Sequence, residues 1–397
     1  MKKISFVKYT CYGNNFVIVD DTLTRSFTES EMSRFAYEAT NSHFGIGSDN
    51  LLVIQRLDNE TLNDIRRERG YWRELPDPQG AKFIFRMFEP NGEEAFSCGN
   101  GLMCVAAYLT HRYGIHSTRI MTEIPFSAPR AITIGSADGC SWASLDKPRR
   151  VPPELADLTM REPVDEAIDL VTNLEVHFRS HDLAPYTDAE TLGLSGYLVL
   201  TGEPHLVIFP EKGFSEAELV GTVFDYSVKI RDPRKGYRRA NFGSWLINRI
   251  GSYINTHYLD QFPAGLNINF ARVHDDSGVI EYRCFERGIN RETLACGTGA
   301  LAVAYTAQYL SLVRAKTIRV LPHQCRRYQP EAEIELHERD YGWLLNGHPL
   351  MLVDGTFMLT TSQQSAAARR NPKVSTTTKI VVSCDREEYG YSAVASS

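Results

Sequence analysis

This chain says one thing twice. "FRMFEPNGEEAFSCGNGLMCVAA" (85–107) returns as "YRCFERGINRETLACGTGALAVAY" (282–305). Arg86, Phe88 and Glu89 match Arg283, Phe285 and Glu286 at an offset of 197 residues. Cys98, Gly99, Gly101 and Val105 match Cys296, Gly297, Gly299 and Val303 at an offset of 198, so one inserted residue separates the blocks. A fainter echo lies upstream, "GNNFVIVD" (13–20) against "GEPHLVIF" (202–209). The order is the same in both halves, which predicts a duplicated unit and two similar domains about a pseudo-twofold axis.

The local patterns agree between the halves. "KFIFRMFE" and "VIEYRCFE" read as strands, being aromatic and β-branched runs bounded by turns. "NGLMCVAAYLTHRYG" and "TGALAVAYTAQYLS" read as largely buried helices. Each cysteine thus falls where a strand–turn unit enters a helix. A helix N-terminus offers unpaired N–H groups and partial positive charge, which ease ionisation of a thiol and can hold a carboxylate. One Cys-Gly-x-Gly is a weak signal. Two in duplicated halves can face each other across one bound molecule. That geometry suits inversion of a carbon centre: one thiolate removes a proton while the opposing thiol supplies another.

Composition narrows the rest. The chain has 397 residues, 43% hydrophobic and 23% charged, with formal net charge −6. With no basic block, a nucleic-acid partner is not expected. The N-terminus "MKKISFVKYT" has no apolar run behind its lysines, and no segment approaches the roughly 20 apolar residues of a membrane span. A cytoplasmic protein is expected. There are eight cysteines, without zinc spacing and without Cys-x-x-Cys, so neither a metal site nor a disulfide framework is expected. Cys11, Cys104, Cys140, Cys284, Cys325 and Cys384 take a structural reading by default. No dinucleotide fingerprint or P-loop is present, and no cofactor is expected.

At this point the residues resemble a known family. "YGNNF", "FGIGSDNLLVI", "MFEPNGEEAFSCGNG", "TGEPHLVIF", "NINF" and "CFERG…ACGTGALAVA" are similar to diaminopimelate epimerase and its relatives, the cofactor-independent two-cysteine amino-acid racemases. The resemblance implies an isomerase, an epimerase of LL-diaminopimelate to the meso form, with a place in lysine biosynthesis. It implies an α+β fold of two pseudo-symmetric domains, each a curved, mainly antiparallel sheet wrapped around a central helix. The boundaries expected are 1–128 with a returning strand near 345–360 for the first lobe and 129–344 for the second, with 361–397 as a mobile tail.

By the same resemblance Cys98 and Cys296 are the acid/base thiols, with His205 helping to tune a thiol and Glu286 in the catalytic group. Gly99, Asn100, Gly297 and Thr298 would hold the α-carboxylate. Asn14, Asn50, Glu89, Glu203, Asn267 and Arg287 would contact substrate. Four positions depart from the family pattern. Asn50 stands for glutamine, Glu89 and Glu203 for asparagines, and Met103 for arginine. Extra carboxylates would repel a distal carboxylate and suit a cationic tail, as in histidine, lysine, ornithine or arginine, whereas Arg287 has the fork to match a carboxylate. A basic amino acid is therefore the second expectation, and a redox or binding module with a reversible Cys98–Cys296 disulfide is a third. The partner expected is a small amino acid, with a homodimer as the candidate assembly. Two stretches look like insertions, 55–81 and 210–266, the latter with a helical stripe of Trp245, Leu246, Ile250, Tyr253 and Ile254 that would dock on its own core, cap the cleft or meet another subunit.

Overall fold

A computed structural model describes residues 2–184, 186–227, 229–231, 239–274 and 278–359. The tail at 361–397 and Cys384 lie outside the described residues.

The duplication is explicit in the strand pairing. In the first half Lys2–Cys11 turns through Tyr12 and Gly13, both at positive φ, to pair antiparallel with Asn14–Asp21. That strand runs parallel to Asn50–Arg56, the crossover being the helix Glu29–Thr40. A parallel pair needs such a connection. Asn50–Arg56 pairs antiparallel with Phe83–Phe88, which forms a hairpin with Glu94–Ala95 and runs parallel to Ser117–Thr122. The crossover between these last two is the helix Gly99–Tyr113. The meander Arg130–Ala137 and Cys140–Asp146 completes the set.

The second half repeats every step. Thr191–Leu200, Pro204–Ile208, Asn267–Val273, Val279–Glu286, Arg291–Thr293, the helix Gly297–Tyr309, Thr317–Pro322, Ile334–Arg339 and Gly342–Gly347 follow in the same order and sense. The last strand of each half closes the figure: Cys140–Asp146 pairs antiparallel with Gly342–Gly347. Leu350–Leu359 returns to pair with Lys2–Cys11, just as Ile168–His177 pairs with Thr191–Leu200. By pairing, residues 130–146 continue the sheet of the first lobe and 342–347 that of the second.

Both Cys-Gly-x-Gly helices are buried up to their last turn, as the run of Ala, Val, Leu and Met demands. They share one core: Leu102, Val105 and Leu109 belong to the same apolar cluster as Leu301, Val303 and Ala304. The two apparent insertions find structural roles. Residues 59–69 form a helix whose Leu62 and Ile65 pack with Trp72, Ile84 and Met121 in a satellite core. The striped segment is the helix Phe242–His257, the crossover between Pro204–Ile208 and Asn267–Val273 and thus the counterpart of Glu29–Thr40. Trp245, Leu246, Ile250 and Ile254 are buried in the second lobe's own core, with Tyr253 partly buried against it. Among the described residues no helix is long and apolar enough to cross a membrane.

Candidate active site

Each cysteine is delivered by a hairpin with a buried guanidinium behind it. Arg86 is fully buried and donates Nε to Glu94 at 2.7 Å, with Glu29 on its other edge. Arg283, its repeat partner, donates Nε to Glu292 at 2.6 Å and is held by the Val223 carbonyl and Ser244. Glu94 and Glu292 lie just before Cys98 and Cys296, so these pairs fix the loop that feeds each helix. The sequence carried both pairs at matching positions, and only the arginines stood out.

Cys98 and Cys296 are the N-caps of their helices, with extended backbones at φ −149° and −131°. Each sulfur accepts from the third N–H of its helix, Gly101 at 3.4 Å and Gly299 at 3.3 Å. The helix tips all but touch: a Cβ on Gly297 would lie 3.3 Å from the Asn100 nitrogen. Asn100 crosses between lobes, donating Nδ2 to Asn14 Oδ1 at 2.6 Å and to the Ala295 carbonyl at 3.3 Å.

Both cysteines line one small cavity, with Asn50, Glu89, Glu203, Asn267, Glu286, Arg287 and Thr298 among the expected residues. Its free volume is about 20 Å³, room for about one water molecule. Met87, Ser97 and Ile289 also line it; nothing but proximity to the motifs marked them in the sequence. Asn14, Gly99, Asn100, His205 and Gly297 stand behind this lining rather than in it. A larger groove of about 850 Å³ lies elsewhere, along Tyr12, Cys140, Cys325 and His348, and contains neither cysteine of the pair.

The two thiols have unlike surroundings, and the repeat shows why. Phe16 lies beside Asn50 in the first parallel pair, as His205 lies beside Asn267 in the second. Where the first lobe has Phe16, Leu52 and Met87, the second has His205, Asn269 and Cys284. Burial, and the opposing Cys296, push the Cys98 thiol well above its ordinary range. Cys296 is held below it, chiefly by a hydrogen bond from the Cys284 thiol, with help from Thr298 and the Gly299 N–H. The Thr298 hydroxyl lies 3.4 Å from Cys296 Sγ and 3.1 Å from His205 Nε2. Asn269 Nδ2 donates to His205 Nδ1 at 3.0 Å, so Nε2 carries the ring hydrogen and points it at Thr298. Burial, aided by Arg287, lowers His205 to about 3, and the ring is neutral. His205 therefore reaches Cys296 only through Thr298. Cys284, given a structural reading from the sequence, sits with Cys296 Sγ and a Glu286 oxygen within 4.8 Å of one another, donor atoms close enough to hold a metal ion.

Charge gathers at the other end. Glu203 Oε1 accepts from the Phe96 and Ser97 N–H groups of the first lobe at 2.9 and 3.2 Å. Its Oε2 takes both Nε (2.9 Å) and Nη2 of Arg287. Arg287 Nη1 donates to the Ala264 carbonyl at 3.1 Å, and its guanidinium lies 5.2 Å from the centre of the Phe96 ring. Glu203 and Arg287 thus satisfy each other, which alters the expectation that each would meet a substrate group. Glu89 accepts from Asn50 Nδ2 at 3.1 Å, and burial raises its carboxyl to about 7. Glu286 accepts from Thr293 and is pushed well up by burial and by Cys296.

The diaminopimelate epimerase family profile matches residues 6–125. A diaminopimelate epimerase of Archaeoglobus fulgidus is 27% identical over 314 residues, covering 79% of this chain and 85% of its own. One of Acinetobacter baumannii (strain AYE) is 26% identical over 343 residues, covering 86% and 92%. Among solved structures, a probable proline racemase from Agrobacterium radiobacter K84 with bound carbonate shares the fold at TM-score 0.52 and 11% identity, covering 91% and 94%. A hydroxyproline epimerase from Agrobacterium vitis with bound trans-4-hydroxy-L-proline does so at 0.53 and 10%, with the same coverage. The matched profile and these relatives point to an isomerase, of the class that epimerises or racemises amino acids. Within that class it is similar to diaminopimelate epimerases, through the profile over residues 6–125 and relatives at 26–27% identity.

Proposed function

We propose that the chain inverts the Cα of a free amino acid by a two-thiol mechanism without a cofactor. The observation that carries this reading is that two N-cap cysteines, one from each lobe, line a single small cavity. Cys296, the more acidic thiol, begins as thiolate and takes the Cα proton. The electron pair left on carbon spreads into the α-carboxylate, held against the first-turn N–H groups of both helices. The Cys98 S–H protonates the opposite face. The cycle leaves Cys296 as thiol and Cys98 as thiolate, the state from which the other enantiomer reacts.

The cavity, with room for about one water molecule, is too small for an amino acid, so the lobes part to admit substrate and close to exclude water. Diaminopimelate, the substrate in the relatives' names, is the first to try; a basic amino acid shares its reacting end and differs only at the far one. The test is α-proton exchange in D₂O with purified protein, offered diaminopimelate, histidine, lysine, ornithine and arginine in turn. Exchange in at least one case, lost as full turnover in Cys98→Ala and in Cys296→Ala, is the expected result. Normal turnover by either variant overturns its proton-transfer role. The thiols are free in the structure, and a redox module would form a disulfide without exchanging any α-proton.

A further inference from the structure

The far end of the cavity decides between the two kinds of substrate. Resting on the two-thiol reading, we infer that this site takes an α-amino acid with a cationic tail and no second carboxylate, because Glu203 already fills the Arg287 fork.

A distal carboxylate needs a free guanidinium edge or comparable donors. Arg287 is the guanidinium that lines the cavity, and its Nε/Nη2 edge is taken by Glu203. Nε and Nη2 go to one oxygen of Glu203, Nη1 goes to a carbonyl, and one face lies near Phe96. Glu203 therefore sits where a ligand carboxylate would sit. It precedes the strand Pro204–Ile208 and Arg287 follows Val279–Glu286, so both belong to the second lobe. When the lobes part, the contacts from Glu203 to the Phe96 and Ser97 N–H groups break, while the pair with Arg287 travels intact. The fork stays occupied in the open form as well.

What remains unspent is negative. Glu89 comes from the first lobe and has one hydrogen bond, from the Asn50 amide. It packs over Gly288, whose φ is +75° and where a Cβ would lie 2.6 Å from its carboxyl carbon. With Arg287 cancelled by Glu203, an ionised Glu89 leaves the far end one negative charge in excess. An ammonium, guanidinium or imidazolium would neutralise it. A carboxylate would face the like charges of Glu89 and Glu203, a juxtaposition that disfavours binding.

Exchange rates of the wild-type chain with lysine, ornithine, arginine, histidine and LL-diaminopimelate test this directly, alongside Glu203→Gln and Glu89→Gln. The expected result is a kcat/KM for at least one basic amino acid about tenfold or more above that for diaminopimelate. Glu89→Gln should lose about tenfold on the basic substrate and little on diaminopimelate. Glu203→Gln frees Arg287 and should narrow or reverse the preference. If Glu203→Gln does not fold, Glu89→Gln alone carries the comparison. Wild-type preference for diaminopimelate, or for neutral amino acids, overturns the inference and leaves the two-thiol reading standing. Exchange with none of a broad amino-acid panel overturns both.

Discussion

Gly99 and Gly297 hold the tips of the two cysteine helices in contact: a Cβ on Gly99 would lie 3.4 Å from the Gly297 Cα and 2.5 Å from a Leu345 methyl. Neither glycine has a positive φ, so their lack of a side chain serves this approach and not a turn. Gly99→Ala should wedge the tips apart. Turnover should fall by about a hundredfold while far-UV circular dichroism stays native. Unchanged turnover would show that the approach has no bearing on the chemistry.

The two thiols should behave unequally when separated. In Cys98→Ala, Cys296 can still remove a proton and return a deuteron to the same face. NMR in D₂O should then show α-exchange with retention from one enantiomer only, with racemisation down by about 10³ or more. Cys296→Ala leaves a thiol whose ionisation is disfavoured and should exchange more slowly. Equal exchange by both variants contradicts the assigned asymmetry.

Cys284→Ala removes the strongest support of the Cys296 thiolate. The pH at which Cys296 becomes reactive to iodoacetamide should move up by about one unit. Cys98 reactivity should keep its own midpoint. A smaller upward shift is expected in His205→Gln, whose effect passes through Thr298.

Glu89 links the site to stability. Its carboxyl titrates at about 7 when folded, against an ordinary 4.5. Between those values the folded chain keeps a proton that the unfolded chain has lost. Stability therefore falls as pH rises through this window and levels off above it. The full fall is on the order of 3 kcal/mol. Glu286 adds in the same sense, so Glu89→Gln should flatten the trend without abolishing it. Urea melts at about pH 5 and pH 8 measure this. A slope in the variant as steep as in the wild type would mean that Glu89 does not titrate in that range.

Arg86→Met leaves Glu94 buried without its cation and Glu29 with Arg69 in place of two guanidinium partners. A loss of about 3–5 kcal/mol is expected by denaturant titration. Little change in stability would mean that Arg69 and water suffice for the two carboxylates.

Much of this was legible because duplication made each half an argument for the other. The Cys-Gly-x-Gly strings are contiguous, so the strand, turn and helix around them follow from local pattern. Asn50 and Asn267, far apart in sequence, entered the expected site through the family resemblance, each on its own motif. The far end was not legible in this way. Glu203 and Arg287 are 84 residues apart, and the charge of each was visible without any sign that they meet. The roles of Cys284 and Glu94 depend on which faces of a hairpin look toward the helix tip. That depends on register, and a one-residue slip would turn both away. The striped helix at 242–257 looked like an addition because the crossover that holds it is longer than its first-half counterpart at 29–40.

The ladder between Cys140–Asp146 and Gly342–Gly347 joins strands of the same rank in their respective halves. This is the arrangement of a symmetric dimer whose interface has been captured inside one polypeptide. Subunits encoded once must stay identical, so any change near one thiol is imposed on its twin. Captured halves are released from that rule. One thiol can keep a greasy setting while the other gains a polar bank, and a single site can hold a ready donor opposite a ready acceptor.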